Sequence, residues 1–355
     1  MNQLEHEAID EPVSSKLICT SNHGFAPYAQ EELHRLFGSV KAKMLIPGEV
    51  MLVSLQHGLK EIYAVMERQE PIFLRHMFAV SWEYEYDEVV GDAWLWLSEL
   101  KQFIASHSFL KDSNIVIQVR KSAHSVWQES PAELKTIIQD GLSDLAAQFV
   151  VKAADYVISI FAGQNGVYAG VEAVGHQLSD WNGGAIRFQK EEGQVSRAKF
   201  KLLEAEVSFD IPFSSFHNAL DIGAAPGGWT SFLLERGLKV TAVDPAKMAP
   251  SVLASPGLTY LKKNADSVKF NEGQFDLLVC DMSWSPKGTA KLVINLLYAL
   301  QPGGTAIVTV KLLHKKPMAL IGEIISMFQE ARLQVQRAKQ LAHNRDEITL
   351  YMIKY

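Results

Sequence analysis

The first seventy residues alternate between segments with strand patterns and segments with helix patterns. Between residues 15 and 70 the chain predicts strand, helix, strand and helix in turn, in the stretches KLICTSN, AQEELHRLF, EVMLVSL and LKEIYAVMERQ. The strand stretches are rich in β-forming residues or alternate apolar with polar positions, and the helix stretches repeat their apolar residues at helical spacing. The pattern predicts a small α+β region over residues 1–75.

A second series of the same kind follows. FAVSWEYEY and NIVIQVRK predict strands, and DAWLWLSELKQFIASHSF predicts a helix with Asp92 as its N-cap. Ser130 followed by Pro131 predicts the start of another helix, and a Gln-Asn-Gly sequence predicts a tight hairpin between two further strands. We therefore expect a second α+β layer over residues 76–178, again a sheet with helices on one face.

The last part of the chain has a different pattern. Residues 179–195 are rich in glycine and polar residues without clear periodicity, which is typical of a linker. From Ser196 the chain alternates between strands and helices, and the strands are continuous apolar runs: HNALDIG, KVTAVD, LTYLKK, DLLVCDM, TAIVTVK and ITLYMIKY. Such runs belong to a sheet that is covered on both faces. Residues 196–355 are thus predicted to form a doubly wound, Rossmann-like α/β domain.

Composition narrows the class of protein. The 355 residues suffice for two or three domains, and a net charge of −6 excludes a protein that coats nucleic acid through bulk charge. The two cysteines, Cys19 and Cys280, make neither a disulfide framework nor a metal cluster, so we expect a cytoplasmic protein without a bound metal. We also expect neither a signal peptide nor a membrane-spanning segment.

The stretch LDIGAAPGGWT is the candidate ligand loop, because the first strand-to-helix turn of a doubly wound sheet faces the ligand crevice. Gly223 would let a ligand approach the backbone, and Gly227 and Gly228 would permit a tight entry into the helix. Asp244 follows about twenty residues later, where an acidic side chain can hydrogen-bond the hydroxyls of a ribose.

The chemistry of this loop favours a cationic nucleoside over a dinucleotide. The loop departs from G-x-G-x-x-G, Pro226 lacks an N–H group for a diphosphate, and Asp221 would repel one. S-adenosylmethionine (SAM) carries a sulfonium, an ammonium and a ribose but no phosphate, and Asp266 could hold its adenine amino group. A glycine-rich turn with aspartates that cap helices is the alternative interpretation. The predicted cofactor-binding residues are Asp221, Gly223, Ala224, Pro226, Gly227, Gly228, Trp229, Asp244, Asp266 and Asp281, although Trp229 fits a core position equally well.

Four charged residues form a candidate catalytic set: Lys201, Asp281, Lys311 and Glu347. The last three stand at ends of apolar strands, and the carboxyl ends of the strands form the working rim of such a domain. A ribose hydroxyl is a weak acid, so methyl transfer to it requires a neighbour that takes its proton. A second cation would lower the pKa of a lysine here, whereas a carboxylate would raise it and orient the ammonium. For Lys201, a solvated surface charge is an equally weighted alternative.

Five motifs in order carry a resemblance to a known family: SRAKFKL, LDIGAAPGGWT, VCDM, TVKLLHKK and HNRDEITLYM. Over residues 196–355 they resemble the RrmJ/FtsJ-type RNA 2′-O-methyltransferases, most closely the RlmM branch, which methylates a cytidine ribose in large-subunit (23S) ribosomal RNA. The resemblance implies a Lys–Asp–Lys–Glu tetrad at the four positions above, in which Lys311 activates the 2′-hydroxyl. It also implies SAM as cofactor and RNA as partner.

The same resemblance implies the nature of the amino-terminal half. Members of this branch carry a ferredoxin-like region, expected here at residues 1–75, and a THUMP domain, an RNA-binding module, expected at 76–178. This part depends on the order of the elements rather than on a motif. Local basic clusters that could contact RNA are Arg197/Lys199/Lys201, Arg120/Lys121 with His124, and His314/Lys315/Lys316.

Two alternative functions stay open at this level. One is a non-catalytic RNA-binding or ribosome-assembly factor on a methyltransferase scaffold, which the presence of all four tetrad residue types disfavours. The other is a methyltransferase for a base, a protein or a small molecule. It is disfavoured because DMSW stands where base methyltransferases commonly have Asn/Asp-Pro-Pro-Tyr. The sequence leaves open the modified nucleotide, the choice between ribosomal and transfer RNA, and the oligomeric state.

Overall fold

The computed structural model describes residues 14–86, 95–189, 193–312 and 316–355. The chain divides into two compact units, residues 1–184 and 185–355. The boundary lies inside the segment predicted as a linker. Asp92, the predicted helix cap, and His314 and Lys315 of one predicted basic cluster lie outside the described residues.

The first sheet of the amino-terminal unit lies within residues 15–79. Its elements are β1 Ser15–Thr20, α1 Ala26–Phe37, β2 Val40–Ile46, β3 Val50–Leu55, α2 Leu59–Arg68 and β4 His76–Ala79. The strands pair antiparallel in the order β2-β3-β1-β4. The strand-helix-strand-helix prediction for residues 15–70 was therefore incomplete, because it omitted β2.

The second sheet of this unit follows directly. Its elements are β5 Trp82–Glu85, α3 Leu95–Ala105, β6 Asn114–Lys121, α4 Pro131–Asp140, β7 Gln148–Phe149, β8 Tyr156–Ala162 and β9 Gly166–Ala173, and its order is β5-β9-β8-β6-β7. The start of α4 is confirmed as a capping box, since Ser130 Oγ accepts from Glu133 N at 3.2 Å and Glu133 Oε2 accepts from Ser130 N at 2.8 Å. The predicted hairpin is confirmed as the antiparallel pair β8–β9.

Apolar packing explains why the two sheets form one unit. Every second residue of β6, β8 and β9 faces α3 and α4, and these side chains form one core that includes Trp96 and Trp127. The opposite face of β8 and β9 presents Phe161 and Tyr168 to Ile18 and Phe78 of the first sheet. FAVSWEYEY, predicted as one strand, is in fact two strands in two different sheets, β4 and β5.

The carboxyl-terminal unit is the predicted doubly wound α/β domain. Its elements are α5 Lys199–Ser208, β10 Asn218–Ile222, α6 Gly228–Glu235, β11 Lys239–Val243, α7 Pro250–Leu253, β12 Leu258–Leu261, β13 Phe275–Cys280, α8 Pro286–Leu296, β14 Leu300–Lys311, α9 Pro317–Glu330, β15 Leu333–Lys339 and β16 Glu347–Lys354. The order is β12-β11-β10-β13-β14-β16-β15, parallel except for β16, which runs antiparallel to both neighbours. The sequence prediction omitted β15.

The strand order places the site. The chain crosses from one half of the sheet to the other between β12 and β13, so the order reverses beside β10. Ligands of such sheets bind outside the carboxyl ends of the strands at this switch point. The core on one face of the sheet is made by α5, α6 and the strands, with Phe232 and Leu202 fully buried.

No helix in the described ranges combines the length and the apolar character needed to cross a bilayer.

Candidate active site

The four predicted tetrad residues come from four separate elements. Asp281 directly follows β13, Lys311 ends β14, Glu347 begins β16, and Lys201 lies in the first turn of α5. Since β16 runs antiparallel to β14, its first residue lies at the carboxyl end of β14, and Lys311 and Glu347 are direct cross-strand partners. The topology therefore brings all of these positions to one edge of the sheet.

The tetrad side chains form a chain of alternating charge. Lys201 Nζ lies 2.9 and 3.0 Å from the two carboxylate oxygens of Asp281 and 2.5 Å from Glu347 Oε1. Lys311 Nζ donates to the other oxygen of Glu347. The side chain of Glu347 is only 1 % exposed, whereas that of Lys311 is 23 % exposed and is the most open of the four. The order is thus Asp281–Lys201–Glu347–Lys311, with Lys311 the member most accessible to a substrate.

The electrostatics of the tetrad fix the charges of Lys201 and Glu347. Burial lowers the pKa of Lys201, but the charges of Asp281 and Glu347 and their hydrogen bonds outweigh burial, so this pKa lies above its ordinary value. Burial raises the pKa of Glu347, and the two ammonium groups more than reverse this, so the net shift is downward. Lys201 is therefore a permanent ammonium that orients carboxylates, and the surface-charge alternative for Lys201 was wrong.

Thr309 is a member of the site that the sequence prediction missed. Its Oγ1 donates to Asp281 Oδ1 at 2.7 Å, and the residue is 1 % exposed. Thr309 and Lys311 are two positions apart on β14, so their side chains share a face of the strand. A polar residue two positions before a strand-end lysine is the sequence signal that would have identified it.

The ligand loop follows β10 as predicted, but Asp221 lies beneath it. Asp221 is 1 % exposed, and its carboxylate accepts from Thr230 Oγ1 of α6 at 2.6 Å. Burial raises the pKa of Asp221 to about 7, the Thr230 hydrogen bonds oppose this, and the charges of Asp281 and Asp244 add to it. Three carboxylates thus converge at the ends of adjacent strands, where a cation would relieve their repulsion.

Two glycines of the ligand loop are required by the backbone conformation and by the side chains packed against them. Gly223 has φ +76, and a Cβ there would lie 2.4 Å from Met282 Cγ. Gly227 has φ +114, and a Cβ there would lie 2.7 Å from Met248 Sδ. Both positions need glycine for their backbone conformation and for close approach of a neighbouring side chain.

Asp244 stands at the predicted place, immediately after β11. Its Oδ2 accepts from Ala225 N at 3.1 Å and its Oδ1 from Ala246 N at 2.7 Å. A carboxylate has about four acceptor positions, so the Asp244 carboxylate retains capacity for the two hydroxyls of a ribose. The hydrogen bond from Ala225 also ties Asp244 to the ligand loop.

The remaining predicted cofactor residues differ in their surroundings. Trp229 is 3 % exposed, belongs to the core beside α5 and donates from Nε1 to Ala198 O at 2.9 Å, which is the core position that the sequence allowed. Ala224 is also a core residue, and Gly228 packs against Ser196. Asp266 is exposed in a short 3₁₀ turn, and among the described residues no hydrogen bond or ion pair joins it to another predicted site residue. The backbone carbonyl of Pro226 accepts from Ala249 N at 3.0 Å.

Glu204 is a second residue that the sequence prediction missed. It lies one turn after Lys201 on α5 and is 2 % exposed. Its carboxylate accepts from the backbone N–H groups of Ala342 and His343 at 2.7 and 2.8 Å, and His343 Nδ1 lies 2.7 Å from it. Glu204 therefore connects the helix that carries Lys201 to the loop that leads into β16 and Glu347.

Two predicted basic clusters are not open patches. Lys199 is buried and forms an ion pair with Glu235 at 2.8 Å, and Lys201 belongs to the tetrad. Arg120 pairs with Glu49 at 3.2 Å, and Lys121 Nζ donates to the carbonyls of Trp127 and Glu129. These four cations are engaged within the fold, whereas Arg197 and His124 of the same two clusters are exposed.

Neither thiol chemistry nor a metal centre emerges from the geometry. Cys280 is fully buried, and burial raises its thiol pKa well above the ordinary value. Within the described ranges no group of three or more His, Cys, Asp and Glu side chains is arranged to hold a metal ion.

Comparison with known proteins agrees with this geometry. Residues 194–325 match the family described as FtsJ-like methyltransferase. The chain is 34 % identical over 176 residues to a "Ribosomal RNA large subunit methyltransferase M" of Halorhodospira halophila, covering 48 % of this chain and 50 % of that protein. It is 36 % identical over 193 residues to the protein of that name from Psychromonas ingrahamii, covering 51 % and 52 %. The chain spans about half the length of the curated relatives it matches. The matched residues 194–325 hold the ligand loop and three of the four tetrad residues, so this part of the chain is similar to FtsJ-like methyltransferases.

Proposed function

We propose that the carboxyl-terminal unit binds SAM and catalyses transfer of its methyl group to a ribose 2′-hydroxyl of RNA, with large-subunit ribosomal RNA as the substrate. The observation that carries the proposal is the contact chain Asp281–Lys201–Glu347–Lys311 beside the ligand loop. The names of the matched relatives support the substrate class. A cytidine as the modified nucleotide is the finer part of the proposal and depends on the resemblance alone.

The residues present fit SAM as cofactor. Asp221, Asp244 and Asp281 place negative charge at the ends of β10, β11 and β13, which suits a cationic ligand and disfavours a diphosphate. Asp244 would hold the ribose of the cofactor, and the exposed Asp266 would face its adenine. At Gly223 the cofactor would approach the backbone of the ligand loop. When bound, SAM supplies an electrophilic methyl group for an in-line displacement.

The tetrad would position the acceptor and take its proton. Lys311, the most exposed member, would contact the 2′-hydroxyl and serve as the general base that takes its proton. Glu347 would orient Lys311 through their hydrogen bond, and Lys201 would hold both carboxylates in place with its permanent charge. Thr309 would fix the orientation of the Asp281 carboxylate through its hydrogen bond to Oδ1.

For the amino-terminal unit we propose a ferredoxin-like region followed by a THUMP-type RNA-binding module. The element order βαββαβ of residues 15–79 supports the first part, since it is the ferredoxin-like arrangement. The second sheet with α3 and α4 would then bind RNA.

The test is methyl transfer from labelled SAM to total RNA, followed by mapping of 2′-O-methyl positions. Lys311→Ala should lower the rate by about 10²- to 10⁴-fold, the usual contribution of a general base, while the affinity for S-adenosylhomocysteine stays unchanged. Lys291→Ala, an exposed lysine on α8, is the matched control and should retain full activity. Label in a base or in protein, or full activity of Lys311→Ala, would refute the proposal.

A further inference from the structure

Trp284 is an exposed tryptophan that closely follows the tetrad residue Asp281 in the sequence. It lies between β13 and α8, three residues after Asp281, and 48 % of its surface is exposed. Within the described residues its indole N–H has no hydrogen-bond partner and its ring pairs with no other aromatic ring. A tryptophan ring buries a large apolar area when it packs, so one left open stabilises the unit little. The exposed half of the indole is therefore available to contact a ligand.

The segment that carries Trp284 is fixed at both ends. On one side Met282 packs directly over Gly223 of the ligand loop. On the other side Ser285 caps α8, with its Oγ accepting from Gly288 N at 3.2 Å and Pro286 in the first turn. Trp284 is thus presented on a short, anchored connection, so that little conformational entropy is lost when a ligand stacks on the ring.

The distance suits a nucleotide. Three residues of extended chain span at most about 10–11 Å, so Trp284 lies within that distance of Asp281 along the backbone. A ribose held at the tetrad places its own base and the neighbouring base within the same range. Every nucleobase offers a flat π face, which is the surface an exposed indole stacks on.

The charge of the protein also favours stacking. The net charge is −6, the tetrad holds two cations and two anions, and Lys199 and Lys121 of the sequence-predicted basic clusters are engaged within the fold. Bulk charge therefore does not drive RNA binding here, and contacts that do not depend on charge would add to RNA affinity. We propose that Trp284 is the stacking platform for a nucleobase at the methylated site. This inference rests on the proposed function.

The experiment compares full-length wild type with Trp284→Ala, Trp284→Phe and Tyr355→Ala in methyl transfer to RNA. Tyr355 is a matched control, an aromatic residue that is 66 % exposed and about 26 Å from Glu347 at the far end of β16, at 3.3 Å per residue. Stacking on one base contributes about 1–3 kcal/mol, so Trp284→Ala should raise KM for RNA about 5- to 150-fold. Trp284→Phe should recover most of this loss, and affinity for S-adenosylhomocysteine should be equal in all four proteins.

The outcomes separate this inference from the proposed function. If wild type methylates a ribose and Trp284→Ala has the same KM for RNA as Tyr355→Ala, only the stacking role is refuted. Equal losses in Trp284→Ala and Trp284→Phe would also refute it, because a phenyl ring still stacks. If wild type transfers no methyl group to RNA, the proposed function fails first. Loss of binding to a protein partner with normal KM for RNA would assign Trp284 to a protein contact and overturn the inference.

Discussion

The buried carboxyl of Asp221 leads to a prediction about stability. Asp221→Asn keeps the size of the side chain and its ability to accept the hydrogen bond from Thr230 while it removes the charge. In the native state the pKa of Asp221 is about 7, raised chiefly by burial, whereas in the unfolded chain it returns to about 3.8. Between these two values the unfolded state ionises and the native state retains the proton. Wild type is therefore destabilised progressively as pH rises through this window.

The magnitude follows from the shift. About three pKa units at 1.36 kcal/mol each give about 4 kcal/mol. Asp221→Asn should therefore have the same free energy of unfolding as wild type near pH 4. As pH rises, the free energy of unfolding of the variant should exceed that of wild type by a growing amount, up to about 4 kcal/mol above pH 7 in the absence of ligand. Below the unfolded pKa both side chains are neutral, so no difference remains.

The assay must report on the carboxyl-terminal unit alone, because the two units of the chain need not unfold together. Urea titration followed by hydrogen-exchange mass spectrometry of peptides from β10 and α6 meets this need at pH 5, 6, 7 and 8. Asp266→Asn, at an exposed carboxylate of the same unit, controls for a change of net charge. A difference between Asp221→Asn and wild type that is constant with pH, or that favours wild type at high pH, would refute the reasoning.

Three further predictions concern the residues around the tetrad. Glu347→Gln leaves the ammonium groups of the largely buried Lys201 and the partly exposed Lys311 against an amide, and should lower the free energy of unfolding by about 3 kcal/mol at pH 7. Because the ion pairs hold the pKa of Glu347 below 4.5, this advantage of wild type should disappear as pH falls below that value, and its persistence in acid urea titrations would contradict the assignment. Thr309→Val removes a hydrogen bond to Asp281 and should lower kcat about 10-fold with unchanged S-adenosylhomocysteine affinity, whereas unchanged kcat would show that Asp281 is held without it. Glu204→Ala leaves backbone N–H groups at residues 342 and 343 without their acceptor and should cost about 1–3 kcal/mol, with faster hydrogen exchange in that loop as the readout.

Sequence pattern predicted the strands with continuous apolar runs and several with clear alternation, but it missed the polar edge strands β2 and β15. β2 carries Lys41 and Lys43 and packs at the edge of its sheet, so few of its positions are buried. β15, with the sequence LQVQRAK, is the edge strand of the seven-stranded sheet of the α/β domain. In that domain the sequence analysis expected long apolar runs. Edge strands need apolar residues on one face only, and a search for continuous runs does not detect them.

The convergence of the tetrad was predictable because strand ends of a doubly wound sheet meet at one edge. Lys201 came from a helix, and its contact with Asp281 and Glu347 followed from the resemblance rather than from this rule. The supporting residues were not predictable in the same way. Thr230, Thr309 and Glu204 are ordinary polar residues in sequence, and only the packing of α5 and α6 against the sheet shows which carboxylates or N–H groups they meet.

The position of β16 has a consequence for biosynthesis. This strand inserts between β14 and β15, which both precede it in the chain, and it alone supplies Glu347. A ribosome-bound nascent chain that has emerged only as far as β15 holds the ligand loop, Asp281 and both lysines, but the carboxylate that joins the two ammonium groups is missing. Under the proposed function, the tetrad is therefore complete only once β16 has inserted between its two neighbours. We expect a chain that ends before β16 to be inactive in methyl transfer rather than partly active.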